Sequence, residues 1–369
     1  MPPALPAAQP PPIPRSLFFR CRRAVASGLD WLFGVFTLIL GIAVFSTMPV
    51  LNLLGLGYLL QVSGRVAESG RLRDGFVGVR KAARVGSMVL GIWLMLWPIR
   101  FLSGFWKEAA LIDPTADKTQ FLRVLLVVFT VFMFVHIIWA CLRGGRLRHF
   151  FWPAPVRFVK WIFKPGKFAV ARDAAWDYVA GLRLHHYFWL GLRCFVGTAL
   201  WLGAPILLLI LAASLNPGLG VLFSLAGAFS LSIAILYIPF LQVHFARINR
   251  FHAFFELEVV RDAFKRAPVA FAFALFVTLL FALPLHILKI ELTPREVAWL
   301  PGILFVSFMF PARLLAGWAF ARGTRREQPR HGFFRWTGRL TTLAAAGAYV
   351  FFLYFTQYLT WHGAFGLLE

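Results

Sequence analysis

Acidic side chains are scarce in this chain of 369 residues, in which 15 Asp and Glu face 38 Lys and Arg. None of the 15 lies inside the long apolar runs described below. Carboxylates are the usual proton carriers and cation ligands inside membrane proteins, and they are common acid–base groups of enzymes. Their absence weighs against a proton-coupled or cation-coupled transporter and against an intramembrane enzyme, although some sodium sites use only carbonyls and hydroxyls.

Cysteines and the common motifs of catalysis are also few. The three cysteines, Cys21, Cys141 and Cys194, do not form a disulfide framework. No G-x-S-x-G elbow and no Walker-type phosphate loop is present. His185 and His186 are adjacent, so they do not face one metal ion from a helix. We therefore predict no catalytic residue, no metal ligand, no cofactor and no enzymatic activity.

Long apolar runs separated by short basic segments make up most of the chain. Hydrophobic residues are 60% of the sequence and charged residues only 14%, which is far from the balance of a soluble domain. The net charge of +23 falls in short segments between the apolar runs. This arrangement indicates an integral membrane protein with affinity for anionic head groups, and we expect no nucleic-acid partner.

The predicted fold is all-α: a polytopic membrane bundle of about seven transmembrane helices, with an N-terminal re-entrant hairpin and amphipathic helices on the cytoplasmic face. The hairpin is predicted at 31–60, and the spans are predicted at 85–105, 121–142, 187–215, 221–245, 269–288, 299–320 and 340–358. The predicted domains are a disordered, proline-rich basic tail (1–28), one helical domain (29–358) and a short C-terminal tail (359–369).

The first apolar run, residues 31–60, carries no charge and would be about 45 Å long as a helix, against a hydrocarbon core of ~30 Å. Pro49 interrupts it, because proline lacks the amide hydrogen and clashes with the preceding turn. Both flanks are basic, which predicts that the run enters and leaves on the cytoplasmic side as a hairpin bent near Pro49. The alternative is one tilted, kinked helix that places residues 65–84 outside.

Lysine and arginine set the predicted orientation. The segments predicted to be cytoplasmic hold 30 of the 38 Lys and Arg; they are 15–23, 65–84, 143–186, 247–266 and 322–339. The segments predicted to be outside hold four, against six acidic residues. By the positive-inside rule, the N-terminus is cytoplasmic, the C-terminus is outside, and the expected location is the cell inner membrane.

Arginines at membrane depth are candidate ligand-binding residues, because a charge inside the bilayer is costly. Arg313, just after Pro311, is the deepest; it either lines a polar interior or reaches the inner surface. Arg193 lies near the predicted inner interface. Asn52 adds a polar side chain beside the break at Pro49.

The basic segment 143–186 supplies three further candidates. Arg143, Arg146 and Arg148 follow a predicted span directly, where anionic head groups lie. Guanidinium groups suit bidentate contact with phosphate or carboxylate. The segment 150–163 mixes Phe, Trp and basic residues, and 247–266 has apolar residues at helical spacing. Both are typical of helices lying at a membrane surface.

Two short blocks carry a resemblance to a known family. The first run ends in Gly57-Tyr58-Leu59-Leu60 and is followed by Val62, Arg65 and the loop Gly75-Phe76-Val77-Gly78; the second block is Ala246-Arg247, Arg250-Phe251 and Ala253-Phe254-Phe255. In these blocks the chain resembles a family of prokaryotic multipass membrane proteins with a domain of unknown function. The resemblance covers about a third of the chain. It implies a bacterial or archaeal cytoplasmic membrane protein and gives no site residue.

Two functions of different classes are predicted. The first is a non-enzymatic membrane protein that binds anionic lipid or scaffolds partners at the cytoplasmic face; membrane lipids are the expected partners, and other membrane proteins or a homo-oligomer stay open. The alternative is a transporter or permease whose broken helix at Pro49 lines the pathway. An echo between Leu60-Gln61-Val62 and Leu241-Gln242-Val243 would suit the duplicated halves of a transporter, although matches this short arise readily by chance.

Overall fold

A computed structural model describes residues 17–163, 166–288 and 299–359, and this part of the chain is mostly helical, without strands. The helices are α1 (Leu17–Ser46), α2 (Pro49–Ser69), α3 (Val79–Ile112), α4 (Asp117–Leu142), α5 (Leu147–Phe151), α6 (Pro155–Ile162), α7 (Lys167–Ala180), α8 (Leu184–Ser214), α9 (Pro217–Ile248), α10 (Leu257–Arg266), α11 (Pro268–Leu288), α12 (Trp299–Arg325) and α13 (Gly332–Leu359). Short 3₁₀ turns lie at Leu72–Gly75 and Phe251–Phe255. The all-α prediction is confirmed.

Four stretches of the chain lie outside the described residues. They are the first part of the proline-rich tail (1–16), residues 164–165 of the basic segment 143–186, the charged connection 289–298 and nearly all of the C-terminal tail (360–369).

Seven helices of the described part are long and apolar enough to cross a membrane: Val25–Ser46, Pro49–Ser69, Val79–Ile112, Asp117–Leu142, Ala169–Ser214, Gly218–Ile248 and Leu300–Arg325. An eighth span is formed if α10 and α11 are counted together. Large apolar side chains on these helices face outward; Phe121, for example, is 67% exposed. Such surfaces are expected of helices that face lipid, and they support a multi-pass membrane protein.

These seven helices are not the same segments as the seven predicted spans. Two of them, α1 and α2, come from the run that was predicted as a re-entrant hairpin, and each is long enough to cross by itself. Of the predicted spans, 269–288 is long and apolar enough to cross a membrane only when it is counted together with α10. The span 340–358 forms the last part of α13, which is not among the seven.

The first run breaks at Thr47 and Met48, and Pro49 is the first residue of α2. Proline is well placed there, because the first helical residues have no intrahelical partner for their amide hydrogens. A Cβ built on Gly55 would lie 3.0 Å from Ile42 Cγ2. In one continuous helix these two residues would be about 20 Å apart, so the chain turns back at the break.

The chain divides into two compact units. The first comprises residues up to Thr37 together with Val79–Trp161. Within it, α3 and α4 are joined by four residues and pack side by side. The C-terminal half of α4 is held by the segment after it: His136 Nε2 donates to Phe150 O at 2.6 Å, and Trp139 Nε1 donates to Pro153 O at 3.0 Å.

The second unit comprises Leu38–Gly78 and the chain from Ile162 onward, and α2 lies at its centre. Small residues bring α2 close to three neighbours. A Cβ on Gly57 would lie 1.8 Å from Tyr187 O of α8, one on Gly64 would lie 3.0 Å from Ala246 O of α9, and one on Gly317 of α12 would lie 2.4 Å from Ser63 O. Contacts through small residues are typical of packed membrane helices, because they let backbones approach closely.

The predicted surface helix at 247–266 is shorter in the structure. α9 continues to Ile248 and ends at Asn249, whose φ of 55° is the left-handed conformation that terminates helices. The helix α10 starts only at Leu257, after a 3₁₀ turn. It is bent by 112° relative to α11. Val260 and Ala263 of α10 are buried, whereas its charged side chains other than Arg266 are exposed.

Candidate functional site

Basic segments meet at one end of the second unit. Arg325, in the last turn of α12, donates from Nη2 to Glu68 O of α2 at 2.9 Å. The chain after α12 then runs beside the end of α10, where the Arg330 amide donates to Lys265 O at 3.1 Å. Three of the segments predicted to be cytoplasmic therefore lie together, and they concentrate positive charge at the ends of α2, α10 and α12.

Arg313 is half-buried on α12 and faces α8 and α9. Its Nη1 donates to Gln242 Oε1 at 2.5 Å, and Gln242 Nε2 donates to Thr198 Oγ1 at 2.8 Å. Cys194 Sγ lies 3.8 Å from the same hydroxyl. No carboxylate in the described ranges forms an ion pair with Arg313. Its guanidinium thus belongs to a chain of polar groups that crosses from α12 through α9 to α8.

The other two predicted intramembrane candidates, Asn52 and Arg193, do not belong to this row of hydrogen-bonded polar groups. Asn52 is exposed in the first turn of α2, where its backbone N–H donates to Met48 O at 2.8 Å. Arg193 is exposed on α8. The permease hypothesis expects a cavity touched by Asn52 and Arg313, and neither residue lines either of the two cavities described below.

Arg143 has a structural role in the first unit. Its Nη2 donates to the carbonyls of His149 and Trp152, and its guanidinium lies 5.5 Å from the Trp139 ring centroid. It therefore fixes the turn after α4 rather than facing solvent. Arg146 and Arg148, by contrast, are exposed and free to meet a head group.

One cavity of about 340 Å³ lies beside the start of α8. Arg193 lines it together with His185, His186 and Trp189 of the same helix and Asn249 at the end of α9. Both histidines already have partners: His186 Nε2 donates to Gln61 Oε1 at 3.0 Å, and His185 Nε2 accepts from Trp189 Nε1 at 2.7 Å. Arg193 is the cationic side chain that remains for a ligand.

A cavity of about 420 Å³ lies among α9, α10, α11 and α13. Its floor is apolar and includes Phe240, Phe271 and Leu275, which are 1–3% exposed. Its rim is basic: Arg261, Lys265 and Arg339 line it and are exposed. The remaining lining residues are Leu236, Tyr237, Val260, Phe264, Thr342 and Leu343. An apolar floor under a cationic rim fits an amphiphile with a negative head group.

A carboxylate between two histidines joins α9 to the 3₁₀ turn before α10. His244, whose side chain is 2% exposed, donates from Nε2 to Glu256 Oε2 at 2.5 Å, and His252 Nε2 lies 2.9 Å from Glu256 Oε1. The hydrogen bond from His244 is the main reason that the pKa of Glu256 lies below its usual value. No group of three or more His, Cys, Asp or Glu in the described ranges is arranged to hold a metal ion.

We expect Glu256→Ala to lower the free energy of unfolding at pH 7 by ~1–3 kcal/mol, because the buried imidazole of His244 loses its acceptor. A carboxyl whose pKa is lowered by folding stabilises the protein above its ordinary pKa of 4.5, and this stabilisation is lost as pH falls through the lowered value. Thermal unfolding followed by tryptophan fluorescence at pH 7 and below pH 4 measures both effects. Glu258→Ala, which removes an exposed carboxylate two residues away, is the control; equal losses in the two variants would contradict the assignment.

Sequence reasoning singled out Arg313 but not its partners, nor the cavity under α10. Gln242 entered the sequence analysis only as part of a repeated three-residue motif. The His252–Glu256 spacing of four residues was the one local signal for this pair. Tyr237, Arg261 and Arg339 come from three different helices, so no local pattern in the sequence connects them.

No protein-family model, no curated protein and no solved structure matches this chain.

Proposed function

We propose that this protein is a non-enzymatic integral protein of the bacterial inner membrane that binds anionic phospholipid at its basic end, with that end toward the cytoplasm. In this role it organises anionic lipid around itself or holds partner proteins at that face. The proposal keeps the orientation given by the positive-inside rule, with the N-terminus cytoplasmic and the C-terminus outside.

The geometry of α10 carries the proposal. The bend of 112° between α10 and α11 places α10 close to the membrane plane if α11 crosses the bilayer. The apolar side of α10 packs inward through Val260 and Ala263, and its opposite side exposes Arg261 and Lys265. An amphipathic helix with basic residues on its polar face is suited to the head-group layer of an anionic leaflet.

The proposal predicts a preference for anionic lipid. We expect delipidated protein, titrated in mild detergent and observed by native mass spectrometry, to bind phosphatidylglycerol at least severalfold more tightly than phosphatidylcholine, because about 1 kcal/mol is gained for each basic residue near an anionic surface. Equal binding of the two lipids would overturn the proposed function.

Two double variants test the contribution of the exposed arginines in the first unit. Arg146→Gln with Arg148→Gln should reduce the number of phosphatidylglycerol molecules retained, whereas Lys107→Gln with Lys118→Gln removes the same charge near the opposite end of α4 and should not. All four side chains are exposed. Arg143 is left unchanged, because its loss would disturb the turn that it holds.

A further inference from the structure

We propose that the cavity among α9, α10, α11 and α13 is a specific binding site for one anionic glycerophospholipid, with its phosphate on Arg261, Lys265 and Arg339 and an acyl chain on the apolar floor. The inference rests on the proposed function and deepens it, because it replaces general attraction of head groups by one site with a defined stoichiometry.

The rim has positive charge that the protein itself does not neutralise. Lys265 Nζ pairs with Asp262 Oδ1 at 2.8 Å, but both side chains are about half exposed, so the pair is weak. Arg261 bonds only a neutral group, since its Nε donates to the Tyr237 hydroxyl at 3.2 Å. Arg339 forms no ion pair or side-chain hydrogen bond within the described residues. Glu258 also acts on Arg261 through its charge, so three cations face two carboxylates, and the positive charge that remains is complementary to an anion.

The hydrogen-bond donors at the rim suit a phosphate. A guanidinium has five N–H donors in a planar fork. The bond from Arg261 to Tyr237 uses one of them, and it also holds the guanidinium over the Tyr237 ring, 5.8 Å from its centroid. Arg339 approaches from a different helix, so a phosphodiester between the two can accept from both arginines and from Lys265.

The floor and the opening suit an acyl chain. Phe240, Phe271 and Leu275 are almost fully buried and offer no polar atom to a ligand. Thr342 is buried beside them, but its hydroxyl donates to Gly338 O at 2.9 Å and is therefore satisfied within its own helix. Leu343, also in the lining, is 53% exposed, so the cavity reaches the outer surface of α13. In a bilayer that surface meets lipid, from which a chain can enter sideways.

The position of the site matches that of a lipid molecule. The cationic rim lies on α10 and near the start of α13, which are at the basic end of the unit, and the apolar floor is made by the helices α9 and α11. Phosphate at the head-group level and acyl chain at hydrocarbon depth are the arrangement that a phospholipid has in the leaflet. The bend between α10 and α11 creates this corner.

Native mass spectrometry with phosphatidylglycerol as the probe tests the site. Wild-type protein should retain one phosphatidylglycerol after delipidation that removes the others. Arg339→Gln should weaken its binding roughly tenfold, because a charge-assisted contact is lost, and Leu343→Trp should weaken it similarly by filling the opening. Arg335→Gln and Leu340→Trp are matched controls on α13 that lie outside the lining and should bind like wild type.

The outcomes separate this site from the general function. If wild type prefers phosphatidylglycerol over phosphatidylcholine but Arg339→Gln and Leu343→Trp bind it equally well, the cavity site is overturned and the proposed function stands. If wild type has no preference, both fail. A retained species with the mass of a fatty acid or a peptide would also overturn the site. Should Leu343→Trp fail to give monodisperse protein, Arg339→Gln decides, because its side chain contributes no contact that the fold needs.

Discussion

Gly57→Val is expected to prevent the second unit from folding normally. A Cβ at this position would lie 1.8 Å from Tyr187 O and 3.0 Å from the Gly191 amide nitrogen, both backbone atoms of α8. Side chains can rotate away from an added methyl group, but a helix backbone can only move as a whole. Overpacking of a core costs ~1–3 kcal/mol when side chains adjust, and we expect a larger loss here because α2 and α8 must separate.

The measurement is the yield of monodisperse protein in mild detergent and the midpoint of its thermal unfolding. Gly203→Val is the matched control, because it adds the same side chain to a helix at a glycine whose built Cβ has no atom within 4 Å. It carries only the propensity difference between two residues in a helix, which is well below 1 kcal/mol. Similar unfolding midpoints for the two variants would show that α2 and α8 do not cross at Gly57 and Gly191.

Most of the helices long enough to cross a bilayer could be predicted from the sequence because apolar length decides which segments cross. The set as a whole was not predicted, since the hairpin became two such helices and 340–358 is not among the seven. The break near Pro49 was predictable for the same kind of reason, since a proline and two basic flanks are local features. The extent of the helices was not: α3 continues through Lys107 and Glu108 to Ile112, and α13 begins at Gly332 among arginines. Helices continue past the apolar run because charged side chains at their ends can reach water while the backbone stays hydrogen-bonded.

Contacts between helices could not be predicted, because they join residues far apart in the chain. Gly57 lies in the block that suggested a family resemblance, yet nothing near it shows that its neighbour is Tyr187. The two Leu-Gln-Val triplets make similar contacts in the structure. Gln61 and Gln242 each form a hydrogen bond with a side chain of α8, namely His186 and Thr198. The two glutamines thus serve as polar links to one helix, a role that needs no internal duplication.

Gln242→Leu is expected to destabilise the second unit by ~2–3 kcal/mol, more than the loss of a surface hydrogen bond would. Gln242 accepts from the half-buried guanidinium of Arg313 and donates to Thr198. Hydrogen bonds to charged groups contribute about 1.5–3 kcal/mol, and removing one partner leaves a charge that is expensive to keep inside an apolar bundle. The midpoint of thermal unfolding, followed by tryptophan fluorescence, measures the loss.

A double-mutant cycle identifies the cause. Arg313→Leu removes the charge as well as the contact, so it should cost less than Gln242→Leu, and the double variant Gln242→Leu with Arg313→Leu should recover part of the stability that Gln242→Leu loses. The result follows because leucine in place of both groups leaves no unpaired charge, whereas leucine in place of the glutamine alone does. Additive losses would mean that the Arg313 guanidinium is not stabilised by Gln242. The guanidinium would then have to reach the basic surface instead of bonding Gln242 inside the bundle.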